Sequence, residues 1–107
     1  MKSIDQTGCG ITKALETIGG KWTMLILRDL MSGPKRFSEL ERSLTGISTR
    51  TLAQRLEELA NDGIIVRDCT DGPIHPRYRL TEKGESLQDI LDQLRQWGNG
   101  LALQQPA

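Results

Sequence analysis

The sequence predicts a mainly helical α+β domain whose β-structure is confined to one hairpin near the carboxyl-terminal end. Over about the first 60 residues, apolar side chains recur at helical spacing. The period then changes, and two β-prone segments flank a turn. The 107 residues contain no repeat or linker, so we expect one domain over 1–107.

Helices are predicted over three ranges in the first part of the chain: 9–18, 21–31 and 38–44. The first two are each followed by a glycine-containing stop. A short extended segment is expected at 35–37. Ser38, with Glu41 three residues later, forms a capping-box pattern at the start of the third helix.

A fourth helix is predicted over about 49–61, after a three-residue turn, Thr45-Gly46-Ile47, and with Ser48 placed to cap its start. Its inward positions are apolar: Leu52, Leu56, Leu59 and Ala60. Its outward positions are polar: Arg50, Thr51, Gln54 and Glu58, with Thr49 and Arg55 on the flanks. Two helices joined by a short glycine-containing turn indicate a helix-turn-helix motif, whose second helix enters the DNA major groove.

The outward side chains of the fourth helix suit base recognition. Arginine can bind guanine, glutamine can pair with adenine, and threonine can contact a thymine methyl group or a phosphate. The helix start near Ser48 also offers N–H groups to a phosphate. The alternative is that Arg50, Gln54 and Arg55 are ordinary solvated surface, but the preceding turn and the following hairpin favour DNA binding.

The hairpin, over about 64–80 with a turn at Asp71-Gly72-Pro73, completes a winged helix-turn-helix pattern. The net charge is zero, but five basic and only two acidic residues lie between Lys35 and Arg55. The DNA-binding candidates are therefore Arg36, Ser48, Thr49, Arg50, Thr51, Gln54, Arg55, Arg77 and Arg79. Two of them, Arg77 and Arg79, contact phosphate or the minor groove, or are simply charges on the hairpin surface; the sequence leaves both open.

A long last helix is predicted after Thr81, which is placed as its N-cap. One face of this helix carries more apolar residues than a small core can bury from one side: Leu87, Ile90, Leu91, Leu94 and Trp97. We expect Leu87, Leu91, Leu94 and Trp97 to face a partner subunit. The alternative is that they cover the first helix of the same chain.

Several segments, in this order along the chain, resemble the HxlR-type family of bacterial winged helix-turn-helix regulators. The matching segments are GGKW (19–22), LILRDL (25–30), GPKRFSEL (33–40), GIS (46–48), TLAQRLEELANDGII (51–65) and YRLTEKGESL (78–87). The resemblance covers about residues 9–98.

The resemblance implies a homodimer formed by the first and last helices, which adds Ile11 and Leu15 to the candidate interface. It implies that two fourth helices enter successive major grooves of double-stranded DNA and that the wings reach the flanking backbone. We expect the operator to be an inverted repeat with half-sites about one helical turn, or a multiple of it, apart.

The resemblance also implies a role for Cys9, because some family members sense oxidants or electrophiles through a cysteine at this place. Family members often have proline next, whereas this chain has Gly10. The start of a helix can lower the pKa of a thiol, and Lys13 can favour the thiolate. The alternative is an inert, small apolar residue. Cys69 matches no family sensor position, and we expect no role for it.

Other functional classes find little support. The chain has one histidine and no nucleophile–base set or glycine-rich phosphate loop, so we expect no enzyme and no cofactor. Two cysteines and one histidine without ligand spacing predict no metal site. With no apolar run long enough for a membrane span, we expect a cytoplasmic protein. The alternative function is a winged-helix protein-interaction module that binds no DNA.

Overall fold

A computed structural model describes residues 9–70, 72 and 74–104. The helices are α1 (Gly10–Ile18), α2 (Lys21–Met31), α3 (Phe37–Ser43), α4 (Thr49–Asn61), α5 (Glu82–Glu85) and α6 (Gln88–Gln104). The strands are β1 (Lys35–Arg36), β2 (Ile65–Asp68) and β3 (Arg77–Leu80). The mainly helical α+β class is confirmed. The ends of the predicted domain, at 1–8 and 105–107, and the turn residues Asp71 and Pro73 lie outside the described residues.

The strands form one antiparallel sheet in the order β1-β3-β2. The hairpin of β2 and β3 pairs Ile65 with Leu80 and Asp68 with Arg77. On the other side of β3, Arg36 of β1 pairs with Arg77. Of the extended segment predicted at 35–37, residues 35 and 36 are thus a third strand, while Phe37 already belongs to α3. The strand links the connection between α2 and α3 to the hairpin.

The core lies where α2, α3, α4 and the sheet meet. Its largest fully buried side chains are Ile26, Leu27, Leu40, Leu44, Leu52, Leu56, Leu59 and Ile65. The inward face predicted for the fourth helix is confirmed for its three leucines, but Ala60 is exposed. Position 60 is rotated by about 100° from Leu59 around the helix axis, which turns it away from the core.

The start of α3 differs from the prediction. The helix begins at Phe37, so Ser38 lies inside it and the expected pairing of Ser38 with Glu41 is wrong. The carboxylate of Glu39 instead accepts a hydrogen bond from the amide of Arg36 at 2.8 Å. Glu41 is engaged elsewhere, because its Oε2 accepts a hydrogen bond from the hydroxyl of Thr49 at 2.6 Å.

The predicted last helix is two helices, α5 and α6, separated at Ser86 and Leu87. Thr81 is the N-cap of α5, as predicted, and its hydroxyl accepts a hydrogen bond from the amide of Gly84 at 3.1 Å. The Leu87 amide then bonds to the Gly84 carbonyl at 3.0 Å, a tighter turn than an α-helix makes. Leu87 and Leu91 pack against the core, which brings α6 back onto the domain.

Candidate nucleic-acid interface

The helix-turn-helix is formed by α3, a turn and α4, as the sequence predicts. Gly46 in the turn has φ 95°, a backbone conformation that glycine adopts without strain. The amide of Ile47 bonds to the carbonyl of Leu44 at 3.0 Å, and the Leu44 side chain is buried. The turn is therefore held both by its backbone and by the core.

Hydroxyl groups hold the start of α4. The Ser48 hydroxyl caps the helix by accepting a hydrogen bond from the Thr51 amide at 3.0 Å, and the two hydroxyls lie 2.9 Å apart. Thr49 donates its hydroxyl hydrogen to Glu41 of α3. Of these three predicted DNA-binding residues, Ser48 and Thr51 thus close the start of α4 and Thr49 joins α4 to α3. The sequence indicated a structural role only for Ser48, as the cap.

The outward face of α4 presents two unpaired polar side chains. Arg50 and Gln54 are exposed, and neither side chain has a hydrogen-bond or ion-pair partner among the residues that the structure describes. Arg55 differs, because its guanidinium forms an ion pair with Glu58 at 3.1 Å. Arg50 and Gln54 are therefore available to bind a ligand, whereas Arg55 would first have to break its ion pair with Glu58.

Sequence reasoning missed two residues of this face. Ala53 and Glu57 are exposed and lie on the same side of α4 as Arg50 and Gln54. A methyl side chain at position 53 leaves room for close approach of a ligand, and the Glu57 carboxylate adds a negative charge one turn further on. The helical spacing from Arg50 would have identified both.

In the wing, side chains of β3 alternate between the two faces of the sheet. Arg77 and Arg79 are exposed, whereas Tyr78 is half-buried and Leu80 is buried. Arg79 is paired with Asp68 across the hairpin, with Nε and Oδ2 3.3 Å apart. Hydrogen bonds from the hydroxyl and amide of Thr70, together with Arg79, hold the pKa of Asp68 below its ordinary value.

Strand pairing brings to the sheet further basic side chains that were not among the DNA-binding candidates. Lys35 and Arg67 are both cross-strand neighbours of Tyr78, one on each side. Arg42 of α3 is exposed and lies near Arg36 and Arg77. Charge alone could not identify these residues, because their position depends on strand pairing and on the start of α3.

Cys9 lies directly before α1, as its N-cap, and is half-buried. The amides of Thr12 and Ile11 lower the pKa of this thiol. Cys69 follows β2, is exposed and is also a free thiol. Within the described residues there is no group of histidine, cysteine and carboxylate side chains that could hold a metal ion.

Two helices, α1 and α6, each carry a stripe of exposed apolar side chains. The most exposed of these side chains are Trp97 at 68 % and Ile11 at 67 %. The stripes consist of Ile11 and Leu15 on α1 and of Ile90, Leu94, Trp97 and Leu101 on α6. We call these two exposed stripes together the α1–α6 face. Of the residues expected at a subunit interface, Leu87 and Leu91 are partly buried and pack against the core. No helix in the described part of the chain could cross a membrane.

Comparison with known proteins identifies relatives with the same architecture. The chain is 45% identical over 100 residues to YkvN of Bacillus subtilis (strain 168), an uncharacterized HTH-type transcriptional regulator, and the match covers 92% of this chain and 85% of YkvN. The redox regulator HypR in its oxidized form superimposes with a TM-score of 0.80 at 35% identity, over 86% of this chain and 96% of HypR. Quinone-bound YodB from B. subtilis gives a TM-score of 0.72 at 36% identity, over 84% and 96%.

The winged architecture predicted from the sequence is confirmed by these structural neighbours. The sequence profile of the HxlR-like helix-turn-helix proteins matches residues 17–106. Cys9 lies before the matched segment. The chain is therefore a transcriptional regulator that belongs to the HxlR-like helix-turn-helix family.

Proposed function

We propose that this regulator acts by binding a specific double-stranded DNA sequence as a homodimer, with α4 in the major groove and the wing on the flanking backbone. The observation that carries the proposal is the outward face of α4. Arg50 and Gln54 project from a helix whose start is capped by Ser48 and bonded to α3. Neither side chain is used within the fold, and both have the hydrogen-bonding groups that read guanine and adenine.

A dimer is supported by the α1–α6 face. Leu94 and Trp97 lie one turn apart on α6, and Ile11 and Leu15 lie one turn apart on α1. A cluster of exposed aliphatic and aromatic side chains of this kind is typical of a subunit interface. Two copies related by a twofold axis would present two α4 helices to DNA, which fits an inverted-repeat operator.

The DNA-binding proposal is tested by fluorescence anisotropy with duplexes selected from genomic fragments, beside a random duplex. We expect Arg50→Ala to weaken binding to the selected duplex by about 1–3 kcal/mol and to relax base preference at one position. Arg79→Ala should weaken binding to both duplexes and reduce the salt dependence, because a phosphate contact carries no sequence information.

The matched control is Arg95→Ala, since Arg95 is exposed on α6 and paired with Asp92 at 3.6 Å. If the variants of Arg50 and Arg79 lose the same affinity on both duplexes, the assigned roles of α4 and the wing are wrong. If the wild-type protein selects no duplex from the pool, the protein-interaction module becomes the better description.

We further propose that Cys9 is a thiol sensor for a small oxidant or electrophile. The support is its lowered pKa, its place at the start of α1 beside the α1–α6 face, and the redox regulator HypR among the structural neighbours. Modification of the thiol there would alter packing next to the proposed interface. DNA binding should change on mild oxidation in the wild-type protein and in Cys69→Ser, and should stay constant in Cys9→Ser.

A further inference from the structure

Glu57 places a carboxylate at the centre of the outward face of α4. It follows Arg50 by about two helical turns, so the two positions are only about 20° apart around the helix axis and about 10 Å apart along it. The Glu57 side chain is exposed. A negative charge on this face is unfavourable for binding any DNA sequence, because a carboxylate close to phosphate groups is repelled by them.

No ion pair offsets this charge among the residues that the structure describes. The side chains one turn before and after Glu57 on α4 contain no basic group: they are Ala53, Gln54, Ala60 and Asn61. The adjacent carboxylate, by contrast, is paired, since Glu58 contacts Arg55. Arg67 of β2 lines the same groove of about 280 Å³ beside α4, but it forms no ion pair with Glu57.

The neighbours of Glu57 on the helix surface are short. Ala53 and Ala60 are both exposed, and each presents only a methyl group. The Glu57 carboxylate therefore projects beyond its surroundings, with room for the edge of a base pair to approach it. An exposed, unpaired and accessible carboxylate is available to accept hydrogen bonds from a ligand.

We propose that Glu57 is a specificity-determining residue, whose carboxylate accepts a hydrogen bond from the amino group of a cytosine in the major groove. The inference rests on the proposed function, since it requires α4 to enter that groove. A carboxylate can only accept hydrogen bonds. Cytosine presents only a donor there, whereas guanine and thymine present acceptors and adenine presents an acceptor beside its donor.

The spacing on α4 gives the position of this cytosine. Base pairs are stacked about 3.4 Å apart, so about 10 Å along a helix that lies in the groove corresponds to about three base pairs. We therefore expect the cytosine about three base pairs from the base that Arg50 contacts. On every other sequence the carboxylate is left without a donor and repels phosphate, so Glu57 lowers non-specific binding and increases discrimination.

The experiment compares Glu57→Gln with Glu85→Gln by fluorescence anisotropy. The duplexes are the selected one, a random one, and a set in which each base pair of the selected half-site is changed singly. Glutamine keeps the length and helix propensity of glutamate but removes the charge. Glu85 is the matched control, because it is exposed on α5 and also has no ion-pair partner in the described part of the chain.

We expect Glu57→Gln to bind the random duplex about threefold to tenfold more tightly, because like-charge repulsion is removed. At one position of the half-site the wild-type protein should prefer cytosine by about fivefold or more, and Glu57→Gln should lose most of this preference. Glu85→Gln should keep the wild-type affinity and base preferences. Both variants should keep the wild-type melting temperature, since both side chains are exposed and unpaired.

Two results would overturn the inference while DNA binding stands. One is an equal gain of Glu57→Gln on the selected and random duplexes with every base preference unchanged, because Glu57 would then only repel phosphate. The other is a wild-type affinity of Glu57→Gln for all duplexes. A wild-type protein that selects no duplex from the pool would overturn the proposed function together with this inference.

Discussion

The hydroxyl of Thr81 joins three parts of the chain. It accepts the amide hydrogen of Gly84 and lies 2.6 Å from the carbonyl oxygen of Gly63, to which it donates. Gly84 sits directly over the start of β2, where a Cβ atom would come within 2.2 Å of the Ile64 carbonyl oxygen. A glycine is required at position 84 by this contact with backbone, which cannot move aside as a flexible side chain would.

We therefore expect Gly84→Ala to lower the free energy of unfolding by about 1–3 kcal/mol, because α5 must shift away from β2. Chemical denaturation followed by circular dichroism measures the change. Gly10→Ala is the matched control, since a Cβ atom at this helical position meets no atom within 4 Å. The control should be neutral or stabilising by up to about 1 kcal/mol. Equal destabilisation of both variants would contradict the close contact at Gly84.

At Cys9, the lowered pKa predicts faster alkylation than an ordinary thiol shows at neutral pH, because the thiolate is the reactive form. In the Cys69→Ser background, the rate of reaction with iodoacetamide should rise at lower pH than it does for glutathione. Unfolding in urea should remove the difference, since the amides of Ile11 and Thr12 then no longer face the sulfur. A profile identical to that of glutathione in the folded protein would contradict the prediction.

Among the elements, α4 depends most clearly on its cap. Ser48→Ala should cost about 0.5–2 kcal/mol of stability, because the Thr51 amide loses its acceptor. Ser48→Asp keeps an acceptor there but adds a negative charge where DNA is proposed to bind. We expect it to retain near wild-type stability and to weaken DNA binding, as measured by urea denaturation and by anisotropy. If both variants lose DNA binding only in proportion to stability, Ser48 has no role beyond the cap.

Element boundaries were predictable where local signals decide them. The bounds of α2 and α4 agree with the prediction, because glycine stops and the Ser48 cap are visible in the sequence. The start of α3 was not predictable, since Glu39 and Glu41 are both spaced to pair with a residue three positions earlier. In the fold Glu39 pairs with the Arg36 amide, and Glu41 bonds to Thr49 of α4 instead. The division between α5 and α6 likewise depends on tertiary packing.

The candidate nucleic-acid interface was likewise predictable only in part. Helical spacing located Arg50 and Gln54 on the outward face of α4, and their exposure agrees with it. The neighbourhood of Arg36 and Arg77 could not be predicted, because it requires β1 to pair with β3 in one particular register. Long-range pairing of a two-residue strand leaves no periodic signal in the sequence.

For the whole molecule, the α1–α6 face predicts that association is broken by a charge at its centre. Leu94→Glu should raise the dimer dissociation constant at least about tenfold, because each protomer loses the burial of one leucine and must desolvate a carboxylate. Light scattering coupled to gel filtration measures the mass. Ile74→Glu is the control, because Ile74 is an exposed apolar residue of the wing loop, at 82 %. A monomeric wild-type protein, or equal effects of the two variants, would contradict this interface.

The short strand β1 has a mechanical consequence. It runs without a linker from Arg36 into Phe37, the first residue of α3, while its other contacts are with β3 of the wing. We therefore expect movement of the wing to be coupled to movement of α3, the first helix of the helix-turn-helix. In the proposed binding mode, this coupling would hold α3 and the wing at a nearly fixed distance from each other. The affinity for DNA would then depend on the width of the grooves that these two elements contact. Flanking sequences that narrow or widen those grooves would then be distinguished without any base contact.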